Sequence, residues 1–275
     1  MSVPASPVLL VGCGKMGSAL LSGWLEAGRT GPQAPAVVVE PAASARAFEG
    51  RPGVTVVREA AAIPPGFAPG VVVFAVKPQG METVVPAYRR FVAPATVFLS
   101  IAAGRTLGFF VTHLGGDAAA VRSMPNTPAA IGRGITVACA NANVTPPQRA
   151  ACEALLTAVG EVAWVAEEAL LDPVTAVSGS GPAYVFLLVE ALAEAGVAAG
   201  LPADLAMRLA RATVAGSGEL LQRSPEAAEQ LRRNVTSPNG TTAAALEVLM
   251  KDDGLARLMK AAVAAATRRS RELAG

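Results

Sequence analysis

The chain has 275 residues, of which 52% are apolar and 4% aromatic, and its formal net charge is +2. This length favours two domains, and the apolar content predicts a packed globular protein rather than a disordered chain. A net charge this small, without basic runs and interleaved aromatics, argues against a nucleic-acid surface and favours a small-molecule partner.

Short apolar runs alternate with helix-like segments up to about residue 165. Several runs are apolar on both faces, as strands are when a parallel sheet is covered by helices on both sides. The segments between them, such as SALLSGWLEAG, have helical periodicity and end in glycine. This alternation predicts βαβ units and a doubly wound α/β sheet. The predicted strands are 8–11, 36–39, 54–57, 71–76, 96–100, 118–122 and 135–139.

No strand is predicted after Val165. The rest of the chain is rich in alanine and leucine with charges on one face, which is typical of packed helices. We therefore expect two domains, a sheet domain at 1–165 and an all-helical domain at 166–275. The predicted helices are 173–199, 202–222 and 241–273.

Several features indicate where the protein works. The most apolar stretch, 182–200, is interrupted by Glu190 and Glu194, so we expect a buried helix rather than a membrane span. The N-terminal stretch lacks a positive leader, so no signal peptide is expected. The three cysteines are odd in number and far apart, which predicts neither a disulfide framework nor a metal site. Together these features favour the cytoplasm.

The first predicted strand runs directly into GCGKMG, which has the G-x-G-x-x-G spacing. In this motif the glycines allow a tight turn, a close approach to a pyrophosphate and close helix–strand packing, and the phosphate lies at a helix N-terminus. An acid at the end of the next strand adds to the signal. A plain strand–helix turn is the alternative, with Lys15 a surface lysine. The predicted dinucleotide contacts are Gly12, Cys13, Gly14, Lys15, Met16, Gly17 and Glu40.

Three later strands end in AVKP, SIAAG and SMPNTP. The small and hydroxyl residues of SIAAG and SMPNTP would let a ribose and nicotinamide come close. The carboxyl edge of an open α/β sheet is where ligands bind, so these ends extend the predicted cofactor site. Lys77 is equally compatible with a cofactor contact and with a strand terminus. The predicted contacts are Ala75, Val76, Lys77, Pro78, Ala102, Ala103, Gly104, Pro125 and Asn126.

The chain offers no obvious general base for oxidising an alcohol. Its one histidine, His113, is interpreted as a helix-end residue. Tyr88 is followed by two arginines on a helix near the sheet, and Tyr184 is interpreted as a packing residue. A protonated C=N bond is already electrophilic, so imine reduction needs only positioning and a hydroxyl hydrogen bond. A dinucleotide loop combined with hydroxyl-rich loops therefore favours an imine as the second substrate.

The ordered stretches VGCGKMGSALLSGWL, FAVKPQ, SIAAG, RSMPNTPAAIGRGIT, DPVTAVSGSGPAYVFLLVEAL and NVTSPNGTT resemble the pyrroline-5-carboxylate reductase family over nearly the whole chain. The resemblance implies a Rossmann domain and an all-helical domain that interleaves with a partner subunit. It also implies reduction of 1-pyrroline-5-carboxylate to L-proline with NADPH or NADH, the last step of proline biosynthesis. Helices 182–199 and 202–222 are apolar enough to expose a broad surface if the second domain stands alone, so we expect an obligate homodimer or a higher homo-oligomer.

In that family the segment matching TSPNGTT (236–242) holds the substrate carboxylate with backbone N–H groups and hydroxyls. Amides before a helix form an anion site on physical grounds as well. A serine or threonine N-cap is the alternative interpretation and is compatible with it. The resemblance makes Thr242 the candidate catalytic residue, hydrogen-bonded to the ring nitrogen. The implied substrate contacts are Asn234, Ser237, Gly240, Thr241 and Thr242.

The chain departs from the family pattern in two places. Pro238-Asn239-Gly240 replaces Pro-Gly-Gly, and because asparagine tolerates left-handed backbone geometry we expect the loop to keep its shape. RSPEAAEQL replaces the stretch with Glu-His-Pro, which leaves the role of 223–233 open. SGSGPAY (178–184) is equally compatible with close packing and with lining the site.

Two other functions remain open from the sequence. A β-hydroxyacid dehydrogenase would need a catalytic lysine on the helix that opens the second domain, and 173–199 contains no lysine. A non-enzymatic ligand-binding protein is less compatible with intact glycine and hydroxyl loops. Glu40 favours NADH, because its carboxylate would repel the extra phosphate of NADPH. Ser44 and Arg46 lie just downstream and are the alternative contacts for that phosphate.

Overall fold

The computed structural model describes residues 6–274. Its sheet has eight strands in the order β3-β2-β1-β4-β5-β6-β7-β8, which continues the strand order of a Rossmann fold. All neighbouring strands are parallel except β6 and β7, which are antiparallel. The strands are β1 Val8–Val11, β2 Ala36–Val39, β3 Val54–Val57, β4 Val71–Phe74, β5 Val97–Ser100, β6 Ala119–Met124, β7 Gly134–Ala140 and β8 Gly160–Trp164.

The central strands are buried on both faces, because alternate side chains pack into two separate hydrophobic layers. Leu10 belongs to the layer that contains Trp24, and Leu9 belongs to the layer that contains Phe74. Every residue of β1, β2, β4 and β5 is buried. The prediction of buried strands in a doubly wound sheet is confirmed.

Two details of the sheet differ from the sequence prediction. The strand β8 was missed, since its five residues alternate between exposed and half-buried positions and begin with a glycine. The predicted strand at 71–76 ends at Phe74, and Ala75 begins the loop that follows it. The edge strand β8 pairs with β7 alone, so it lacks the apolar run that marked the central strands.

The described residues fall into two compact units. One lies within 1–179 and 266–275 and contains the whole sheet, and the other is Ser180–Ala265. The division into a cofactor-binding domain at 1–165 and a substrate-binding and dimerisation domain at 166–275 stays a prediction. The helices are α1 Lys15–Glu26, α2 Met81–Val84, α3 Leu107–Leu114, α4 Pro146–Leu156, α5 Leu171–Val174, α6 Gly181–Ala198, α7 Ala203–Arg223, α8 Ala228–Asn234, α9 Thr241–Leu249 and α10 Leu255–Ala274.

The helices of the sheet unit begin at recognisable sequence signals. Thr106 caps α3, its hydroxyl accepting a hydrogen bond from the Phe109 amide at 3.1 Å. Thr145 and Gln148 form a reciprocal capping box at the start of α4. Short 3-10 segments complete the connections at Ala43–Phe48, Ala60–Ala62, Pro78–Gly80, Val85–Phe91, Thr127–Ile131, Thr157–Val159 and Glu168–Leu170.

The predicted C-terminal helices are present but more divided than expected. A π-helical segment at Thr175–Gly179 separates α5 from α6, so the predicted helix 173–199 is not continuous. The predicted helix 241–273 is split by residues 250–254 into α9 and α10. Within the second unit α6 packs closely on α7, where a Cβ on Gly196 would lie 3.2 Å from Cβ of Ala206.

The prediction that 182–200 is a buried helix is wrong for the single chain. Only Ala193 of α6 is buried, and Phe186 and Leu187 are 61% and 62% exposed. The segment Glu168–Ala198 is long and apolar enough to cross a membrane by length and composition alone. Its apolar residues exceed what the neighbouring helices of one chain cover, which leaves an extended apolar surface.

Candidate active site

The glycine loop after β1 has the geometry that dinucleotide binding requires. Gly12 has φ +91°, and a Cβ there would lie 2.8 Å from the Ala75 carbonyl oxygen. A Cβ on Gly17 would collide with the carbonyl of Gly12, so the third glycine lets α1 approach the turn. Nothing lies within 4 Å of the position that a Cβ on Gly14 would occupy. The loop is therefore closed on the sheet side and open where a pyrophosphate would approach.

The N-terminus of α1 faces the same opening. Its N-cap is Gly14, which supplies no capping side chain, and the first intrahelical bond runs from the Ser18 amide to the Gly14 carbonyl at 2.8 Å. The amides of the first turn are thus left for an anion. Lys15 is exposed, Met16 is half-buried and the thiol of Cys13 is fully buried. These residues fit a nicotinamide dinucleotide.

Glu40 lies directly after β2 and contacts the glycine loop. Its Oε2 accepts a hydrogen bond from the Cys13 amide at 2.7 Å, and its Oε1 accepts one from the Ala42 amide at 2.9 Å. A carboxylate oxygen has further lone pairs, so these bonds leave room for ribose hydroxyls. The sequence predicted the position of Glu40, and the structure adds that this carboxylate fixes the turn itself.

The end of β4 is tied to the glycine loop through the backbone. The Ala75 amide donates to the Val11 carbonyl at 2.7 Å. Val76 packs against Gly12, since a Cβ on Gly12 would lie 2.8 Å from its Cγ1. Lys77 is exposed. Pro78 begins a 3-10 turn, and the Pro78 carbonyl accepts a hydrogen bond from Arg105 Nε at 2.9 Å. The exposed ammonium of Lys77 is free to reach a ligand at this edge.

The ends of β5 and β6 lie side by side. Ser123 Oγ donates to the Ser100 carbonyl at 2.9 Å, and Ser100 Oγ accepts from the Ala102 amide at 3.2 Å. Ala103, in the loop that follows β5, is half-buried. Gly104 has φ +70°, and a Cβ on it would lie 2.8 Å from the Leu273 carbonyl. The space at this glycine is therefore used by the last turn of α10.

The loop after β6 is held on both sides. Pro125 is buried, and Asn126 Nδ2 donates to Ser178 Oγ at 3.2 Å. Asn126 Oδ1 accepts from the Ile135 amide at 3.0 Å, so both ends of the carboxamide are engaged. A Cβ on Gly179 would lie 2.5 Å from Met124 Cε. The first glycine of the SGSGPAY segment thus serves close packing, whereas Gly181 has open space around it.

The loop 236–242 forms within the second unit. Asn239 has φ +59° and follows Pro238, and the Gly240 amide donates to the Ser237 carbonyl at 3.1 Å. A turn with proline second and a positive φ third is the type II pattern. The expectation that asparagine adopts left-handed geometry here is confirmed.

The hydroxyls of the loop 236–242 differ in their hydrogen bonding. Thr236 Oγ1 donates a hydrogen bond to the Arg232 carbonyl, in the last turn of α8, at 2.7 Å. The N-cap of α9 is Gly240 and no side chain caps it, so the alternative of a serine or threonine cap is wrong. Within residues 6–274 the hydroxyls of Ser237, Thr241 and Thr242 make no hydrogen bond. These hydroxyls and the first amides of α9 can therefore bind a carboxylate.

Asn234 ends α8, and its side chain is occupied by the segment that departs from the family pattern. Its Nδ2 donates to Glu226 Oε2 at 3.2 Å, and its Oδ1 accepts from Gln230 Nε2 at 2.7 Å. These contacts of Glu226 and Gln230 with Asn234 were not predicted from the sequence. The i, i+4 spacing of Gln230 and Asn234 was the one available signal.

Burial keeps the Tyr88 hydroxyl and the buried cysteine thiols protonated near neutral pH, so they are poor general bases. Burial raises the pKa of Tyr88 to about 12 and that of Cys152 to about 12. Burial also raises the pKa of the Cys13 thiol, and the hydrogen bond between this thiol and the Ser18 hydroxyl partly opposes that rise. His113 lies in the last turn of α3, as predicted, with Nδ1 2.8 Å from the Phe109 carbonyl oxygen. These groups are structural.

Comparison with known proteins agrees with this geometry. Residues 7–104 match a family model described as NADP oxidoreductase coenzyme F420-dependent, and residues 168–273 match one described as pyrroline-5-carboxylate reductase dimerisation. A pyrroline-5-carboxylate reductase of Pseudomonas aeruginosa is 40% identical over 276 residues, covering 100% of this chain and 98% of the relative. The chain belongs to the pyrroline-5-carboxylate reductase family.

Solved structures extend the similarity to the fold. The pyrroline-5-carboxylate reductase of Coxiella burnetii superposes with a TM-score of 0.90 at 32% identity, over 99% of this chain and 100% of that one. The pyrroline carboxylate reductase of Plasmodium falciparum, with NADP bound, has a TM-score of 0.82 at 28% identity over 100% of both chains. The family consists of NAD(P)-dependent oxidoreductases. The similarity to these two structures confirms the predicted Rossmann sheet with a helical C-terminal part.

Proposed function

We propose that this chain reduces 1-pyrroline-5-carboxylate to L-proline with NADPH or NADH, the last step of proline biosynthesis. The observation that carries the proposal is the loop 236–242, whose free hydroxyls and helix-start amides suit a small ring with one carboxylate. Family membership and the open glycine loop support the same reaction. The proposed cofactor contacts are those predicted at 12–17, Glu40, 75–78, 102–104 and 125–126.

The protein's part in this reaction is positioning. When bound, the reduced nicotinamide supplies the hydride. Ser237, Thr241 and the amides at Gly240 and beyond hold the carboxylate, and this fixes the ring against rotation. The Thr242 hydroxyl hydrogen-bonds the ring nitrogen, which keeps the C=N bond aligned and stabilises its protonated form. A strong general base is not required, because the substrate brings its own electrophilic iminium.

We further propose that the chain works as a homodimer or a higher homo-oligomer in the cytoplasm. The exposed apolar residues of α6 and the match of 168–273 to a dimerisation family support this assembly. Residues 1–165 would then bind the dinucleotide, and 166–275 would bind the substrate and the partner. The same apolar surface argues for a protein partner rather than for nucleic acid or a membrane, since Glu190 and Glu194 lie on this helix.

The reaction is tested with the purified chain by following the absorbance of reduced nicotinamide, which falls when an imine is reduced and rises when a hydroxy acid is oxidised. With pyrroline-5-carboxylate we expect turnover and a product that co-elutes with proline, and with a short 3-hydroxy acid and the oxidised cofactor we expect none. Robust turnover of the hydroxy acid without turnover of the imine would overturn the proposal in favour of a β-hydroxyacid dehydrogenase.

A further inference from the structure

One carboxylate oxygen joins the two loops at the ends of β5 and β6. Glu168 Oε1 accepts a hydrogen bond from the Leu107 amide at 2.8 Å and one from Arg122 Nη1 at 3.0 Å. Leu107 is the first residue of α3 and directly follows the loop 101–106. Arg122 lies on β6, just before the loop that contains Pro125 and Asn126. Both proposed nicotinamide-side loops are therefore attached to a single side-chain atom.

The surroundings of Glu168 make this attachment rigid. Arg122 is 4% exposed, and its second nitrogen, Nη2, lies 3.8 Å from Asp172 Oδ1. Asp172 is held in turn by Ser270 Oγ, which donates to Oδ1 at 2.7 Å. A buried guanidinium needs nearby carboxylates to offset its lost hydration, so the departure of either acid would weaken the pairing of a buried charge.

The bond to Leu107 has a separate basis. The Leu107 amide is one of the first amides of α3, which have no partner inside the helix, and a carboxylate there also interacts favourably with the helix dipole. Thr106 caps the Phe109 amide instead. Glu168 therefore fixes where the loop 101–106 ends, independently of the ion pair with Arg122.

We propose that Glu168 is a positioning residue for the nicotinamide end of the cofactor site. It sets the spacing of the loops that contain Ala102, Ala103 and Gly104 on one side and Pro125 and Asn126 on the other. The inference rests on the proposed function, because these loops are proposed cofactor contacts. Glu168 touches neither cofactor nor substrate in this account and acts through the backbone of Leu107 and the side chain of Arg122.

The test measures cofactor binding without substrate. NADPH is titrated into the full-length chain and its fluorescence is followed. Glu168→Ala removes both hydrogen bonds and is expected to raise the Kd for NADPH about tenfold. Glu168→Gln keeps an acceptor oxygen and is expected to recover most of that affinity. Glu167→Ala is the matched control, since Glu167 is exposed, and its Kd is expected within about twofold of the parent.

A second variant separates the loop contact from the ion pair. Leu107→Pro removes the amide that donates to Glu168, together with the leucine side chain, at a first helical position where proline is tolerated. The preceding Thr106 has φ −77° and ψ 162°, which is compatible with a following proline. We expect its Kd for NADPH to rise about fivefold. Leu107→Ala controls for the lost side chain and is expected to bind more tightly than Leu107→Pro.

In steady-state kinetics the same variants should raise KM for NADPH while KM for pyrroline-5-carboxylate stays within about twofold. Lowered melting temperatures with an unchanged Kd in both Glu168→Ala and Leu107→Pro would overturn the inference, because Glu168 would then only stabilise the fold. Since the titration contains no imine, a parent that binds NADPH but turns over another substrate would contradict the proposed function and leave this result standing.

Discussion

The glycine loop and the loop 236–242 are both proposed to bind anions, yet they are built in opposite ways. The glycine loop is surrounded by buried strands, and Glu40 and the end of β4 hold its backbone in place. The loop 236–242 lies among exposed helices, and three of its hydroxyls have no partner within residues 6–274.

This difference shows how one chain divides its work. The cofactor loop is completed by its own sheet, so its geometry exists before any ligand binds. The substrate loop keeps its donors unsatisfied, and the helices around it keep an apolar surface uncovered, such as Phe186 and Leu187. We therefore expect substitutions in the second unit to affect substrate use and assembly and to leave cofactor affinity unchanged.

The largest expected effect is on assembly. Phe186→Glu places a charge on the apolar surface of α6, and because buried aromatic anchors dominate interfaces it should weaken association by about 2 kcal/mol or more. Light scattering at micromolar concentration should show the parent as a dimer or larger and the variant as smaller. Thr55→Glu, on the exposed face of the edge strand β3, is the matched control. A parent that is an active monomer would contradict the proposed assembly.

The next effect concerns the substrate loop. Thr242→Ala should lower kcat/KM for pyrroline-5-carboxylate by about 1.5–3 kcal/mol, the value of a hydrogen bond to a charged group. The Kd for NADPH should not change. Thr236→Ala is the control, because that hydroxyl already donates to the Arg232 carbonyl and should affect stability rather than turnover. Full activity in a folded Thr242→Ala would assign this threonine no role in the reaction.

A smaller effect is expected at Glu40, which tests the cofactor loop. The carboxylate repels the extra phosphate of NADPH, so NADH should be used at least as well as NADPH by the parent. Glu40→Ser should shift the preference toward NADPH by about tenfold, or about 1.4 kcal/mol. Comparing kcat/KM for both cofactors measures it, with Glu49→Ser as an exposed acidic control. A parent that strongly prefers NADPH, with no change on substitution, would show that Glu40 only holds the turn.

The smallest effect concerns the shape of the substrate loop. Asn239 has φ +59°, so Asn239→Gly should be neutral or slightly stabilising, whereas Asn239→Ala should cost about 1 kcal/mol. Urea unfolding curves of the three proteins measure the difference. Equal midpoints for the alanine and glycine variants would mean that this turn relaxes freely.

The sheet was largely predictable because its signals are local. Strands β1 to β5 are short, mostly apolar runs that contain valine and lie between turns, and the glycine spacing placed the cofactor loop. The antiparallel pairing of β6 and β7 was not predicted, although the length of the connection between them indicates it. The nine residues 125–133 between them are too few for the crossover that a parallel pair needs.

Other features depend on contacts that sequence patterns do not contain. Glu168 meets Leu107 and Arg122 across 61 and 46 residues, and nothing in its neighbourhood announces that pairing. The apolar composition of α6 predicted both a buried helix and, for the second domain alone, a broad exposed surface, because an apolar helix has the same sequence whether its own chain or a second chain covers it. For the substrate loop, the resemblance supplied the roles and the structure supplied the free hydroxyls.

The central claim is that the two anion loops are energetically separate, and one comparison tests it most directly. In the triple variant Ser237→Ala, Thr241→Ala, Thr242→Ala, the Kd for NADPH and kcat/KM for pyrroline-5-carboxylate are measured beside the parent. The account predicts a Kd within about twofold and a loss of about a hundredfold or more in kcat/KM. A Kd that rises in step with the loss of kcat/KM, or a kcat/KM that does not fall, would contradict it.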